Sequence, residues 1–336
     1  MVSPLEYRKE IEEALERFFT KKAEGKRGIE LEAIMRLREF TLRGGKRIRP
    51  IFMIIGYWLN GEIDRRIIDA SISLELMQSY LLIHDDIIDQ SDTRRGGPSF
   101  HKMFNYDPLV NEGLAIVCAD LSDAYSHEIL LESQFPEDRL NSAMKIMAST
   151  VEMTGVGQLM DITLSLSDTV TEEDVVNVHK YKTAQYTING PMKMGAALSG
   201  YGGIERIDSY GIPLGIAFQI QDDILGMFGD EAQLGKSVMS DFQEGKKTHL
   251  ILYTYELADA QDAEYVRRRL GRKDIGMDEF ERVRNIIRES GALEKTKKLA
   301  ENYYEKALSS IDLLTGDADR RRELKRMAEM MVRRVS

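Results

Sequence analysis

The sequence predicts an all-α protein with a single domain. Apolar residues recur every three or four positions through most of the 336 residues, which is the spacing of one helix face. No segment shows the sustained alternation of apolar and polar residues that is typical of strands. Length alone allows more than one domain, but no Pro- or Ser-rich linker divides the chain. Residues with recognisable chemistry extend from Lys46 to Lys247, so we expect one domain over residues 1–336.

The ends of the expected helices are marked by glycine, proline and capping residues. Gly44 and Gly45 stop the second helix, and Pro50 lies in the first turn of the third. Thr171, followed by three acidic residues, is a favourable helix start. Pro191 is expected to kink a later helix, because it removes a backbone donor. The first two expected helices cover residues 5–20 and 29–42. The expected helices after the third cover residues 63–89, 108–133, 137–166, 171–199, 204–229, 249–257, 263–270, 277–290, 293–313 and 320–332.

Composition excludes several classes of protein. The net charge of -10 argues against a nucleic-acid binder, which would present a basic face. Cys118 is the single cysteine, so no disulfide forms within the chain. The sequence begins without an apolar signal core. No apolar run approaches the length of a membrane span. We therefore expect a cytoplasmic protein with no membrane span and no nucleic-acid partner.

The segment from Gln78 to His101 contains a cluster of aspartates followed by two arginines. Asp85 and Asp89 are four residues apart and share a helix face, where their charges repel unless a cation lies between them. A hard dication such as Mg²⁺ binds carboxylates together with phosphate oxygens. A solvated helix face is the ordinary interpretation of such a cluster, but the apolar flanks favour burial, and buried carboxylates are paired or metal-bound. The arginines that follow match phosphate geometry.

A second aspartate pair and two basic segments extend this pattern. Asp222 and Asp223 lie in FQIQDDILGMFGD, which repeats the layout of an apolar run, paired aspartates and a glycine break. The segment GGKRIRP at residues 44–50 combines cations with a helix N-terminus, and it is either an anion site or a solvated basic turn. Lysines also follow the second aspartate pair. Together these features predict a diphosphate held by metal and cations above an apolar pocket that excludes water from a carbocation.

Five ordered motifs carry a resemblance to a known family. They are GGKRIRP, DDIID with RRG, YKTA, FQIQDD with GD, and the lysines that follow. With them, nearly the whole chain resembles the trans-isoprenyl diphosphate synthases, the farnesyl and geranylgeranyl diphosphate synthase family. The resemblance implies a prenyltransferase with an isoprenoid synthase helical bundle around a central deep cavity. It also implies a homodimer and head-to-tail (1'-4) condensation of isopentenyl diphosphate with an allylic diphosphate to a short-chain trans-prenyl diphosphate.

The resemblance also implies a role for each matching residue. Three Mg²⁺ ions per site would be held by the aspartate motifs, with Asp85, Asp89 and Asp222 as the direct ligands. The other two aspartates of the metal set are Asp86 and Asp223. Isopentenyl diphosphate would be bound without metal by Lys46, Arg49, Gln78 and Arg95. The allylic diphosphate would be bound by Arg94, Lys182, Lys236 and Lys246. Thr183 and Gln219 would face the developing cation, and Asp161, near Gln158, would orient Lys182.

Two positions bear on how the chain differs from other members of the family. The second aspartate motif often ends in a third aspartate, and here that position is Gly226, although Asp230 follows nearby. Tyr80 lies five residues before Asp85, and an aromatic residue there resembles a plug at the pocket floor. Leu81 adds no second aromatic side chain. We therefore expect a geranylgeranyl or farnesyl product.

Other functions fit the sequence less well. A terpene cyclase would share the fold and the first aspartate motif, but it would lack the GGKR segment for a second diphosphate. An HD-type phosphohydrolase needs a metal histidine upstream of His84, and no histidine precedes it. No loop has EF-hand spacing. A regulatory subunit of a heteromeric prenyl synthase is the alternative from a non-enzyme class, although such subunits typically lose the aspartates or cations that are present here.

Overall fold

The computed structural model describes residues 4–167, 169–229 and 238–333, and it confirms the all-α prediction. The α-helices in chain order are α1 (Arg8–Ala23), α2 (Gly28–Leu42), α3 (Ile48–Trp58), α4 (Arg65–Ser71), α5 (Ser73–Ile88), α6 (Pro108–Leu131), α7 (Glu137–Ser165), α8 (Glu172–Val178), α9 (Gly190–Ser199), α10 (Asp208–Phe228), α11 (Ser240–Gln243), α12 (His249–Leu257), α13 (Ala260–Arg267), α14 (Met277–Glu289), α15 (Ala292–Ser309), α16 (Ile311–Leu314) and α17 (Ala318–Val332). Within the described ranges, no helix is both long enough and apolar enough to cross a membrane.

Shorter elements connect these helices. A π-helix covers His179–Asn189 between α8 and α9. An antiparallel hairpin pairs β1 (Thr93–Arg94) with β2 (Gly97–Pro98). Single turns of 3₁₀-helix occupy Pro4–Tyr7, Phe100–Lys102 and Ile204–Ile207.

The chain forms two compact units. Unit 1 contains the described residues of 1–147 and 191–204, and unit 2 contains those of 148–190 and 205–336. The expectation of a single domain over the whole chain stays a prediction.

Unit 1 is built around α3, whose residues are apolar and buried except for Arg49 in its first turn. Two glycines let α3 and α9 touch backbone to backbone. A Cβ atom at Gly56 would lie 2.0 Å from the carbonyl oxygen of Met192, and one at Gly195 would lie 1.8 Å from that of Met53. In the same unit α5 packs along α6. This packing fixes the C-terminal half of α5, which carries the first aspartate motif.

Unit 2 is built around α10, which packs against the π-helix and α15. Its buried face carries Ile216, Ile220 and Ile224, which belong to a core shared with Leu250 of α12 and Phe280 of α14. The N-terminus of α8 is capped as expected, because Thr171 and Asp174 form a capping box there. The core therefore holds the second aspartate motif on a helix that is packed on several sides.

Two expected helices are interrupted. The helix expected over residues 63–89 divides at Ile72, where the Ser71 hydroxyl donates to the carbonyl oxygen of Ile68 at 2.7 Å. The helix expected over 171–199 changes to π geometry, and the Gly190 N–H donates to Gln185 five residues earlier. Pro191 supplies no N–H for the following turn. Neither interruption follows from apolar periodicity alone.

Candidate active site

The first aspartate motif occupies the C-terminal end of α5. Asp85 is half-buried and Asp86 is fully buried, while Asp89 is the residue that caps the helix. The C-terminus of a helix carries a partial negative charge, so three carboxylates at this end are electrostatically unfavourable by themselves. The arrangement therefore requires positive charge from arginine, lysine or a bound cation.

Arg94 supplies part of that charge. Its Nε donates to Asp86 Oδ1 at 2.8 Å, and its Nη2 donates to the same oxygen and lies 3.9 Å from Asp85. Burial raises the pKa of Asp86, and the Arg94 guanidinium opposes that rise. Within the described residues, Asp86 Oδ2 is buried without a hydrogen-bond partner. Arg94 thus holds Asp86 in place at the base of the motif.

A tight hairpin positions the two arginines. Arg95 and Gly96 have φ angles of 51° and 72°, as the central residues of a type I′ turn require. Arg43 holds the hairpin from α2, because its Nη1 donates to the carbonyl oxygen of Pro98 at 2.5 Å and to that of Arg94 at 3.3 Å. A Cβ atom at Gly97 would lie 2.7 Å from the Arg43 guanidinium, so a larger residue there would have to displace this side chain.

Gln78 gathers two of the predicted diphosphate-binding cations. In the amide orientation that satisfies its neighbours, its carbonyl oxygen accepts from Arg49 Nη1 and from Arg95 Nη2, both at 2.9 Å. Two guanidinium groups converging on one neutral oxygen leave a net positive cluster, and such a cluster suits a diphosphate. Lys46 is exposed in the same basic segment as Arg49. Arg49, Gln78 and Arg95, which the sequence prediction grouped, therefore lie together in unit 1.

A chain of side-chain hydrogen bonds joins the second aspartate motif to the π-helix in unit 2. The Thr183 hydroxyl donates to Gln219 Oε1 at 2.8 Å, and Gln219 Nε2 donates to Asp223 Oδ1 at 2.8 Å. One turn earlier on the π-helix, His179 Nε2 lies 3.1 Å from Asp223 Oδ2. The distance is that of an ion pair, but the ring is not aimed for a hydrogen bond. These contacts fix the Gln219 amide with its oxygen toward Thr183.

Lys182, on the same π-helix, is held by α7. Its Nζ donates to Asp161 Oδ2 at 2.6 Å, which is the contact expected from the sequence. The backbones come close enough for this because Gly157 has no side chain. A Cβ atom there would lie 2.3 Å from the Lys182 nitrogen.

The structure shows what occupies the space beside Gly226. A Cβ atom at Gly226 would lie 2.6 Å from Asp241 Oδ2, so a carboxylate from another segment fills the position next to the second motif. Asp241 is in turn paired with Lys246 at 3.2 Å. Lys236 and Asp230, which the sequence analysis placed in this region, lie outside the described residues.

The two predicted chain-length residues lie on α5, in the turns before Asp85. Tyr80 and Leu81 are half-buried, and the Tyr80 ring packs edge-on against His84 with centroids 5.0 Å apart. At about 1.5 Å per residue, Tyr80 is roughly 7.5 Å from Asp85 along the helix axis. Whether it limits product length stays a prediction.

The carboxylates suit Mg²⁺ only with help from a bound phosphate. Within the described part of the chain, no group of three or more His, Cys, Asp or Glu side chains is arranged to hold a metal alone. Mg²⁺ commonly takes one or two carboxylates and completes its shell with water and substrate phosphates. The first motif offers hard carboxylate oxygens at a helix C-terminus, and within the described residues Asp86 Oδ2 is buried without a partner. These oxygens suit a Mg²⁺ ion that completes its shell with water and phosphate.

Some predicted relationships are outside what either unit shows alone. Asp85 lies in unit 1 and Asp222 lies in unit 2, and their meeting across a pocket stays a prediction. The sequence analysis missed the roles of Arg43, Glu75 and His179. Of these, His179 carried a signal, because it lies four residues before Thr183 and so shares a helix face with it.

The helical fold, with aspartates and arginines grouped at helix ends, is typical of a class of protein: enzymes that act on diphosphates. Residues 32–287 match the family described as "Polyprenyl synthetase", and the chain belongs to that family. The resemblance to the trans-isoprenyl diphosphate synthases is therefore confirmed.

Individual relatives agree with this assignment. The chain is 32% identical over 296 residues to a geranylgeranyl diphosphate synthase of Sulfolobus acidocaldarius, with 87% of each chain covered. It is 31% identical over 300 residues to a geranylfarnesyl diphosphate synthase of Aeropyrum pernix, covering 87% of this chain and 91% of the relative. A crystal structure of geranylgeranyl pyrophosphate synthase from Corynebacterium glutamicum, complexed with isoprenyl diphosphate and magnesium, has a TM-score of 0.93 at 29% identity, covering 99% of this chain and 100% of that one.

Proposed function

We propose that this chain is a prenyltransferase that condenses isopentenyl diphosphate head-to-tail with an allylic diphosphate to give a short-chain trans-prenyl diphosphate. The observation that carries the proposal is the convergence of Arg49 and Arg95 on Gln78, on the same helix that ends in Asp85, Asp86 and Asp89. A metal-free cation site and an aspartate motif on one helix are what two different diphosphates would need. The relatives' names support this assignment.

The cation cluster of unit 1 is the site we assign to isopentenyl diphosphate. Arg49, Arg95 and Lys46 supply positive charge, and the Gln78 carbonyl fixes the two guanidinium groups. Arginine forks bind phosphate oxygens in pairs, so this substrate needs no metal.

The aspartate motifs are assigned to magnesium and the allylic diphosphate. Asp85 and Asp89 of the first motif and Asp222 of the second would be direct ligands, with Asp86 and Asp223 in support, for three Mg²⁺ ions per site. Bound Mg²⁺ neutralises the diphosphate and makes it a better leaving group. Asp86 holds Arg94, while Gln219 and His179 contact both carboxylate oxygens of Asp223, which agrees with supporting roles for these two aspartates.

The remaining polar residues would bind the allylic diphosphate and stabilise charge. Arg94, Lys182 and Lys246 contribute cations, and Lys236 is assigned to the same group from the sequence alone. The Thr183 and Gln219 oxygens would face the carbocation that forms when the C1–oxygen bond breaks. A carbon–carbon bond then forms to C4 of isopentenyl diphosphate. The proton lost from its C2 passes to the released diphosphate, so no side-chain base is required.

The floor of the pocket is the feature that we expect to determine product length. The relatives named above make products of different length, by their names. We assign Tyr80 and Leu81 to the pocket floor and propose a geranylgeranyl or farnesyl product.

The experiment is turnover of labelled isopentenyl diphosphate by the purified chain, with each allylic primer and Mg²⁺. We expect prenyl diphosphate formation that chelator abolishes, and a loss of kcat of about 10²-fold or more for Asp85→Ala and for Asp222→Ala. Asp138→Ala, at the start of α7 and outside both motifs, is the matched control. Full activity after both motif substitutions would contradict the proposal. Inactivity of the chain alone would favour a regulatory subunit, and a hydrocarbon product without isopentenyl diphosphate would favour a cyclase.

We also propose that the chain is a homodimer. Helix α6 exposes a row of apolar side chains that would be costly to leave in water on a monomer. A second copy of this chain is the partner that the family implies. These side chains are Leu109, Val110, Ile116, Val117 and Leu121.

A further inference from the structure

Arg47 is the one arginine of the GGKRIRP segment that points into the protein. Its side chain has 0% exposure, and its Nη1 donates to Glu75 Oε2 at 2.5 Å and to the carbonyl oxygen of Thr41 at 2.9 Å. Its Nε lies 3.5 Å from Glu12. From the sequence alone, the basic segment that contains Arg47 is either an anion site or a solvated basic turn. The Arg47 guanidinium is fully buried and paired with a buried glutamate, so a diphosphate cannot reach it.

The backbone at Arg47 is strained. Its φ angle is 53°, in the left-handed region, and it follows Gly44 at 67° and Gly45 at 115°. Glycine adopts such angles freely, whereas the left-handed conformation is unfavourable for other residues. Strain of this kind persists only where surrounding contacts over-determine the conformation. The buried contacts of the Arg47 side chain are the ones available to do so.

The strained residue sets the direction of its two neighbours. Arg47 is the N-cap residue of α3, so its conformation determines where the first turn of that helix begins. Arg49 lies in that turn, and Lys46 is the residue immediately before Arg47. A change in the backbone at Arg47 would therefore redirect both cations at once.

The anchor of Arg47 lies on the same helix as the diphosphate cluster. Glu75 precedes Gln78 by three residues on α5, so the two side chains share one helix face. Glu75 holds Arg47, and Gln78 holds Arg49 and Arg95. One turn of α5 therefore contacts the basic segment at two points. Glu75 forms a buried ion pair with Arg47, and Gln78 accepts a hydrogen bond from Arg49 in the proposed diphosphate site.

We infer that the Arg47–Glu75 ion pair is a positioning device that fixes Lys46 and Arg49 for the non-allylic diphosphate. The inference rests on the proposed function, because it assumes that Lys46 and Arg49 bind that substrate. Neither Arg47 nor Glu75 touches the substrate. Their removal should weaken binding of isopentenyl diphosphate and leave the allylic side of the reaction unchanged.

The decisive variant removes both partners. Breaking a buried ion pair on one side leaves an uncompensated charge and often prevents folding, whereas replacing both partners by apolar residues is often neutral for stability. Arg47→Met/Glu75→Leu should therefore fold but lose the orientation of the segment. We expect its KM for isopentenyl diphosphate to rise about tenfold, with KM for the allylic primer and kcat within about twofold of wild type.

A second measurement does not depend on activity. Amide hydrogen exchange of residues 44–49 should be about tenfold faster in the double variant, because local opening of the segment is no longer opposed. Lys22→Met is the matched control, since Lys22 pairs with Glu128 at 2.6 Å in the same unit but away from the segment. It should change neither KM nor exchange at 44–49.

The outcomes separate the two claims. A folded double variant with unchanged KM for isopentenyl diphosphate would overturn the positioning role, even if the wild type is active. A wild type that condenses no substrate would overturn the proposed function instead. In that case the amide hydrogen exchange of residues 44–49 still tests whether Arg47 anchors the segment. An unchanged exchange rate in the double variant would overturn that anchoring role, and a faster rate would support it.

Discussion

Tyr80 is the residue whose size we expect to limit product length. It is half-buried on α5 before the first aspartate motif, and its ring packs on His84. Tyr80→Ala should lengthen the major product by at least one isoprene unit, because removing the ring deepens the proposed pocket. Mass spectrometry of the products measures this. Tyr80→Phe retains the ring and should leave product length unchanged, and an unchanged product in Tyr80→Ala would rule out the plug.

His249 is a buried histidine that should make the fold sensitive to acid. Burial, with a contribution from His179, lowers its pKa to about 3. The unfolded chain binds a proton at this residue below about pH 6.5 and the folded chain does not, so stability falls as the pH drops below that value. His249→Phe should therefore lose less stability than wild type between pH 8 and pH 5.5, by about 1 kcal/mol.

Urea unfolding of both proteins at the two pH values tests this prediction. Other titrating groups cancel in the comparison, because they are the same in both proteins. At pH 8 the variant should be at least as stable as wild type, since both ring nitrogens of His249 lack a hydrogen-bond partner within the described residues and a buried unpaired N–H is unfavourable. Equal losses on acidification in the two proteins would show that His249 does not contribute.

Residue types and spacing predicted the site only as far as local sequence determines geometry. Arg49, Gln78 and Arg95 lie together as the sequence motifs predicted, because each belongs to a motif with a recognisable neighbour, while their role in binding substrate stays a prediction. The buried position of Arg47 was not predicted, because the direction of its side chain depends on a left-handed backbone and on Glu75. Neither of those appears in the sequence as a pattern.

At the scale of elements, glycines determine how closely the helices of unit 2 approach. Gly211, Gly215, Gln219 and Asp223 recur every four residues along α10 and face the π-helix. A Cβ atom at Gly215 would lie 2.4 Å from Ala184 Cα, so the two backbones are in direct contact there. The close approach brings Gln219 and Asp223 within reach of the π-helix. A π-helix in this position agrees with the general association of such geometry with functional sites.

Two glycines on α7 offer a matched pair of substitutions. Gly157→Ala would place a methyl group 2.3 Å from the Lys182 backbone nitrogen, whereas a Cβ atom at Gly155 meets nothing within 4 Å. Gly157→Ala should destabilise the protein by about 1–3 kcal/mol and lower kcat, because backbone cannot yield as a side chain does. Gly155→Ala should stabilise it by about 0.5–1 kcal/mol.

Denaturant unfolding and steady-state kinetics of the two variants provide the check. The pair controls for helix propensity, because both changes replace glycine by alanine on the same helix. If both variants gained stability, the close contact between α7 and the π-helix would not constrain the fold. If Gly157→Ala lost stability but kept kcat, Lys182 would not depend on this contact.

Helix existence was predicted well, and helix continuity was not. Apolar periodicity identified the long helices, because each buries a face over many turns. The break at Ile72 and the π-helix depend on hydrogen bonds of Ser71 and on the missing N–H of Pro191. The hairpin at Thr93–Pro98 was also missed, because two-residue strands are too short to show alternation.

At the scale of the whole molecule, α6 carries the strongest indication of assembly. Among its exposed apolar residues, Leu109 is 76% exposed and Val117 is 58% exposed. Val110, Val117 and Leu121 lie at spacings of seven and four, which places them on one helix face. A stable interface buries about 800 Å² on each partner, and a continuous apolar row of this kind would form its centre.

Val117→Asp tests whether this face is covered by a second copy. A carboxylate in the centre of an apolar interface is left without water or a partner, so the dimer should dissociate. Light scattering coupled to size-exclusion chromatography should give twice the chain mass for the wild type and the mass of one chain for the variant. Leu313→Asp, at another exposed leucine that lies in unit 2, should remain dimeric. A wild type that elutes as a monomer at micromolar concentration would contradict the assignment, because a stable homodimer interface of ordinary size holds at that concentration.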